Sequence, residues 1–341
     1  MTPGDLLSLT PAGLYCPAGD FFIDPLRPSP RALITHAHSD HARAGHGEVL
    51  ATRETLDLMA IRHGPGFARV VQPIEPREKL VLGPIEVSFH PAGHVLGSCQ
   101  IRLSGKRGTW IVSGDYKREA DPTCAPFEAV PCDVFISEAT FGLPVFSRWR
   151  ARVEIEKLLA SAQLFPERAH LVGAYSLGKA QRVMAMLRAA GYARPIYIHG
   201  AMEKITDYYI KAGVELGEIR KTAEADRATL GGEIVICPPS ALQDAWSRKF
   251  PDPVLAFASG WMRVRGRARQ RGVELPLVIS DHADWDALTQ TIRETGCSRL
   301  LVTHGEADAL VHWARGDGLE AEPLRLAGYG DEGETALAEN V

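Results

Sequence analysis

The chain has 341 residues, 45% hydrophobic and 23% charged, with a formal net charge of -4. That length and composition suit one large globular domain or two smaller ones and exclude a fibrous or disordered chain, while the acidic balance argues against indiscriminate coating of nucleic acid. No apolar run is long enough to cross a bilayer, Met1 to Thr10 lacks the pattern of a secretory signal, and the six cysteines form no C-x-x-C pair, so a reduced cytoplasmic protein without disulfides or a thiolate metal site is expected.

Between Leu14 and Ile136, short apolar runs broken by Gly, Pro and Asp predict strands, among them Phe21-Phe22-Ile23, Ala32-Leu33-Ile34 and residues 85–89, 99–103 and 110–112. One helix interrupts them at 52–61, where Leu56, Met59 and Ala60 fall at helical spacing. From Ser147 the texture changes to alternation. Helices are expected at 147–163, 178–190 and 203–211, with strands at 170–174, 195–198, 233–237 and 254–258, which implies a parallel sheet flanked by helices. Strands at 275–280 and 299–303 then lead into Asp281-His282-Ala283-Asp284 and His304-Gly305-Glu306. Metal-ligating residue types reappear here, so the last part of the chain is expected to fold back onto the first domain.

The run Thr35-His36-Ala37-His38-Ser39-Asp40-His41 reads H-x-H-x-D-H and leaves the end of the strand at Ala32 to Ile34. Such a loop can splay His36 and His38 toward one divalent ion and Asp40 and His41 toward a second, the ligand set of zinc or a similar metal. A metallohydrolase is the reading this density supports. Asp24, His94, Asp115 and His304 each follow an apolar strand, and strand ends are the rigid platforms that a two-metal site requires.

In this order the motifs resemble those of the metallo-β-lactamase superfamily, along the whole chain. The resemblance implies one metal held by His36, His38 and His94, another by Asp40, His41 and His304, with Asp115 bridging, and Asp24 orienting the histidine loop. Ser137-Glu138-Ala139-Thr140-Phe141-Gly142, Ser280-Asp281-His282-Ala283-Asp284 and Val302-Thr303-His304-Gly305-Glu306 resemble the three motifs of its beta-CASP nuclease branch. The implied fold is α/β, a metallo-β-lactamase αββα sandwich (residues 1–145 and 272–341) with an inserted beta-CASP α/β cap domain (146–271). Leu9 to Cys16 and Pro91 to Ser98 resemble the bacterial ligase-associated DNA exonucleases. That resemblance implies a DNA-repair exonuclease acting on single-stranded or end-exposed DNA, with two divalent ions, zinc or manganese, in functional association with a DNA ligase and helicase and with no membrane partner. His304 departs from the Val usual in eukaryotic DNA-directed members and matches RNA-directed ones. An RNA exonuclease or 3′-end-processing nuclease is therefore the alternative within the branch, and a non-catalytic nucleic-acid-binding protein the alternative outside it.

Asp40, Asp115, Glu138 and His282 are the expected catalytic residues, with His282, held by Glu138, as proton donor to the leaving oxygen. A latch between cap and base is the competing role of that pair. For the polymer backbone, Ser176 and Lys179 lie in a strand-to-helix turn suited to phosphate, although Ser176 could simply cap the helix. Ser259 is a further expected phosphate contact. Arg263 and Arg265 begin a run continued by Arg267, Arg269 and Arg271, which in an extended chain would align five guanidinium groups on one face; a charge-protected edge strand is the structural alternative. Trp261 could stack on a base or belong to the core.

Overall fold

The structure, a computed structural model, describes residues 5–325. These divide into two units, one built from 5–147 together with 282–325, the other from 148–281.

The first unit opens with β1 (Ser8–Thr10), β2 (Gly13–Cys16), β3 (Phe21–Ile23), β4 (Arg31–Leu33) and β5 (His46–Ala51), then α1 (Arg53–His63) and β6 (Ala68–Pro73). Thr52 caps α1, its hydroxyl accepting from Thr55 N–H at 3.3 Å, and Gly64 at φ 86° ends it. β1 to β6 form one sheet in sequence order, antiparallel up to β3 and parallel beyond. β7 (Leu80–Leu82), β8 (Ile85–Pro91), β9 (Cys99–Gly105), β10 (Gly108–Val112) and β11 (Val134–Ser137) begin a second sheet.

The second unit carries α2 (Ala151–Leu164), β12 (His170–Gly173), α3 (Lys179–Ala189), β13 (Ile196–Ile198), α4 (Glu203–Lys211), β14 (Ile219–Lys221), β15 (Ile234–Cys237), β16 (Val254–Ala258), α5 (Arg265–Gln270) and β17 (Leu275–Leu277). Its six strands form one fully parallel sheet in the order β14-β13-β15-β12-β16-β17. β12 and β15 are buried throughout, as expected of central strands covered on both faces. Leu275–Leu277 pairs with β16, so this strand extends the second unit's sheet, and the return to the first unit falls at His282, later than the boundary at 272.

The chain then returns with α6 (Trp285–Thr295), β18 (Arg299–Val302), α7 (Ala307–Gly316) and β19 (Glu320–Pro323). β18 pairs in parallel with β11 on one side and β19 on the other, giving the order β19-β18-β11-β10-β9-β8-β7. Strand alternation decides which layer each residue joins. Trp110, Val112, Ile136 and Leu301 pack into the core shared with Leu14, Phe21, Ile23, Leu33 and Leu50 of the first sheet. Their neighbours Ile111, Phe135, Leu300 and Val302 face the other way, onto Leu288 and Ile292 of α6 and Leu310, Val311 and Ala314 of α7. Two sheets with helices outside them result. Among the described residues, no helix is long and apolar enough to cross a membrane.

The arginine run corrects an expectation. Residues 260–263 form a 3-10 turn and 265–270 an α-helix, so alternate arginines splay apart instead of sharing a face. Arg267 lies over the buried Trp261 ring at 3.8 Å and Arg271 over Phe257 at 5.1 Å. Trp261 is thus core, and the segment is no edge strand.

Candidate metal centre

Parallel pairing of β10, β11 and β18 brings Asp115, Glu138 and His304, each just past its strand, to one end of the second sheet. β8 runs in the same direction, two antiparallel steps from β10, and delivers His94 to that end. β3 and β4 carry Asp24 and the histidine loop. The two edges are joined by the Cys99 N–H, which donates to Thr35 O at 2.8 Å. Gly114, at φ 55°, makes this approach possible, since a Cβ there would lie 2.7 Å from the Thr35 side chain.

Donor atoms of His36, His38, His94 and Asp115 lie within 4.8 Å of one another, and so do those of Asp115, Glu138 and His282. Asp115 Oδ2 is 3.4 Å from His36 Nε2, 3.5 Å from His41 Nε2 and 3.7 Å from His94 Nε2. Asp40 Oδ2 approaches His41 Nε2 at 3.7 Å, and the His304 ring stacks on that of His41 with centroids 5.2 Å apart. His36, His38, His94 and Asp115 thus form one cluster, and Asp40 and His304 approach it through His41, which contacts Asp115.

Asp24 orients two of these imidazoles. It pairs with His41 Nδ1 at 2.8 Å, which turns Nε2 of that ring toward Asp115 and Asp40. It also accepts the Thr35 hydroxyl at 2.6 Å; that hydroxyl has a single proton, so at its 3.0 Å contact with His36 Nδ1 the imidazole must donate. His36 Nε2 is then an unprotonated nitrogen, buried without a hydrogen-bond partner, beside a carboxylate that is itself an acceptor. A divalent cation satisfies that arrangement, and the donor set fits zinc or manganese. Asp24 and His304 both hold positive φ, at 42° and 59°, a cost of about 1–3 kcal/mol each that concentrates where geometry is over-determined.

Electrostatics agree with a site built for cations. Burial, aided by the charge of His41, pushes His36 down to about 4, and the same two causes bring His304 to about 4. Burial also holds His94 well below its ordinary value. His41 goes the other way: burial lowers it, but Asp115 and Asp40 outweigh that and hold it well above. Burial would raise the Asp115 carboxyl, yet His41 and then His282 keep it well below the usual carboxylate range.

Glu138 is fully buried, accepts the Tyr116 N–H at 2.7 Å and pairs with His282 Nδ1 at 2.9 Å. Burial raises its carboxyl against the opposing charge of His282. The His282 ring lies 4.8 Å from that of His94.

The expected phosphate contacts are all in the second unit. Ser176 and Ser259 follow the adjacent parallel strands β12 and β16. Ser176 does not cap α3. Gly178 is the cap residue, and Gln181 Oε1 accepts its N–H at 2.9 Å, while Gln181 Nε2 holds Ser176 O at 3.0 Å. Ser259 is buried and accepts Trp261 N–H at 3.3 Å. Lys179, expected to face a phosphate, is buried over the Tyr175 ring with Nζ 3.6 Å from Asp281 Oδ2. Arg263 and Arg265 are exposed. Sequence reasoning missed Arg182, which is fully buried and donates to Ser280 O and to Asp281 Oδ1 at 3.3 Å, and Lys117, buried against Asp121. Neither carries a sequence signal of burial: Lys117 stands in the charged run Asp115-Tyr116-Lys117-Arg118-Glu119, and Arg182 follows Gln181.

No family model matches the chain. A probable DNA ligase of Opitutus terrae is 31% identical over 312 residues, covering 91% of this chain, which spans only 30% of that protein's length. A ribonuclease of Thermus thermophilus is 24% identical, with 88% of this chain and 86% of the ribonuclease aligned. The crystal structure of a protein of unknown function from Enterococcus faecalis superposes with a TM-score of 0.55 at 12% identity, over 80% of this chain and 74% of that one, a likeness of fold alone. Together with the motifs at the strand ends, these similarities identify the chain as a member of the metallo-β-lactamase superfamily, in its β-CASP nuclease branch.

Proposed function

We propose that the protein is a two-metal DNA exonuclease that hydrolyses phosphodiester bonds from strand ends in DNA repair. The observation that carries this reading is the convergence of His36, His38, His94 and Asp115 at buried strand ends, with the Glu138–His282 pair sharing Asp115. His36, His38 and His94 would hold one ion and Asp40, His41 and His304 the other, with Asp115 common to both. When bound, such ions offset charge on a phosphoryl oxygen and acidify a water for attack. The protein's own groups do the rest. Asp24 fixes the ligand tautomers, burial keeps His36, His94 and His304 neutral, and His282, anchored by Glu138, donates a proton to the departing 3′ oxygen, leaving 5′-phosphate and 3′-hydroxyl products.

The unit at 148–281 is read as the β-CASP cap, its Arg263 and Arg265 meeting the polymer backbone and Ser176, Lys179 and Ser259 shaping the turns beneath. Similarity to part of a DNA ligase supports a DNA substrate and a ligase partner; a helicase associate and a cytoplasmic setting complete this reading. An RNA exonuclease is the second reading, favoured by His304 and by the ribonuclease relative that aligns over most of both chains. Zinc- or manganese-loaded protein incubated with single-stranded DNA and RNA oligomers labelled at either end separates them. The DNA reading expects faster DNA loss with 5′-end entry; 3′-phosphate products would refute the mechanism, and exclusive RNA cleavage the substrate.

A further inference from the structure

Lys117 is one of the largest fully buried side chains, and its charge lies deep beside the proposed metal centre. Nζ contacts Asp121 Oδ2 at 2.5 Å and donates to the His94 carbonyl at 3.3 Å. Its backbone N–H donates to Ala92 O at 3.1 Å. Gly93, at φ 71°, lies so close that a Cβ there would be 2.4 Å from Lys117 O. Asp121 is held in turn, accepting Thr123 N–H at 2.8 Å and the Thr123 hydroxyl at 2.7 Å. Lys117 therefore stands two residues after Asp115 and grips the backbone of His94 itself, joining two loops that are remote in sequence.

A buried ion pair is poor evidence of stabilisation, because desolvating both charges offsets their attraction and an apolar pair often serves as well. Its presence here needs another reason, and the gripped carbonyl supplies one. We propose that Lys117 is a positioning residue that sets the separation of the His94 and Asp115 loops, so that filling of the His36, His38, His94 and Asp115 site depends on it. The inference rests on the two-metal reading above. The other proposed ion shares only Asp115 with these loops, so the effect should be confined to one site.

The test compares full-length wild type with Lys117→Met/Asp121→Asn, which neutralises both partners while the amide oxygen introduced at position 121 can still accept from Thr123. Each protein is stripped of metal and titrated with zinc chloride against a chromophoric chelator, with the melting temperature measured alongside. Wild type should take two zinc ions. The double variant should take one with wild-type affinity and the other about 10- to 100-fold more weakly, at a melting temperature close to that of wild type. Asp121→Asn alone, a milder change, should weaken the same site by a smaller factor. Unchanged affinity at both sites in both variants overturns the positioning role. So does equal weakening of the two sites with a lowered melting temperature, the mark of a purely structural residue. A wild type that takes no zinc refutes the metal-centre reading itself.

Discussion

His282 is the residue whose two readings differ most in consequence. As a proton donor it must change the chemical step and nothing before it; as a latch it must change stability first. The 2.9 Å contact with Glu138 serves either role, but Glu138 is fully buried and already satisfies Tyr116 N–H, so removing the imidazole leaves the carboxylate partly solvated by protein. His282→Ala is expected to lower the single-turnover rate by about 10²- to 10⁴-fold while bound zinc stays at the wild-type level. A latch predicts a falling melting temperature and a nearly unchanged rate for the folded fraction, and that result would remove His282 from the chemistry.

At the scale of elements, α5 changes which arginines are available. Arg265 and Arg269 stand four residues apart on an exposed face, whereas Arg267 and Arg271 cover aromatic rings. Replacing Arg265 and Arg269 with Ala should reduce the salt slope of single-strand binding by about 1.4, roughly 0.7 per phosphate contact. Arg267→Ala should leave that slope alone and destabilise the second unit by about 0.5–2 kcal/mol through the lost stacking. Salt titrations and denaturant melts of both variants read the two effects; an unchanged slope in the double variant counts against a polymer track here. The same segment shows where sequence legibility ends. Arg-x-Arg alternation mimics a strand period, yet Arg, Ala and Gln are strong helix formers and Val264 alone is β-branched, so local preference prevails. The histidine loop, Asp24, His94, Asp115 and His304 were legible because each interrupts a short apolar run at its end. α6 and α7 carry apolar residues at helical spacing, Leu288 and Ile292 in one and Leu310, Val311 and Ala314 in the other, and these pack against the second sheet. Lys117 with Asp121, and Arg182 with Asp281, were not legible, because which charges become buried is decided by loops that meet only in the fold.

For the molecule as a whole, the proposed ligands come from four separate stretches of the first unit, so metal binding is also a cross-link between them. Two-state linkage at a hundredfold excess over Kd adds about 2.7 kcal/mol per ion, or about 5–10 °C in melting temperature for a unit this size. Chelation should therefore lower the first unit's melting point and raise hydrogen exchange at residues 35–41, 91–98 and 302–304, while β12, β15 and β16 keep their protection. Equal loss of protection in both units would contradict this localisation. The return of the chain to the first unit has one more consequence, in time instead of space. β18 inserts between β11 and β19, and it brings His304 with it after α6 has followed His282. During synthesis, at about 5–20 residues per second, the proposed site stays incomplete until the ribosome has passed residue 304, and the second sheet until it has passed β19. A polypeptide aborted before residue 304 lacks that histidine, and one aborted before β18 lacks the strand that joins β19 to the sheet as well, so a stalled message yields a chain without the complete proposed site.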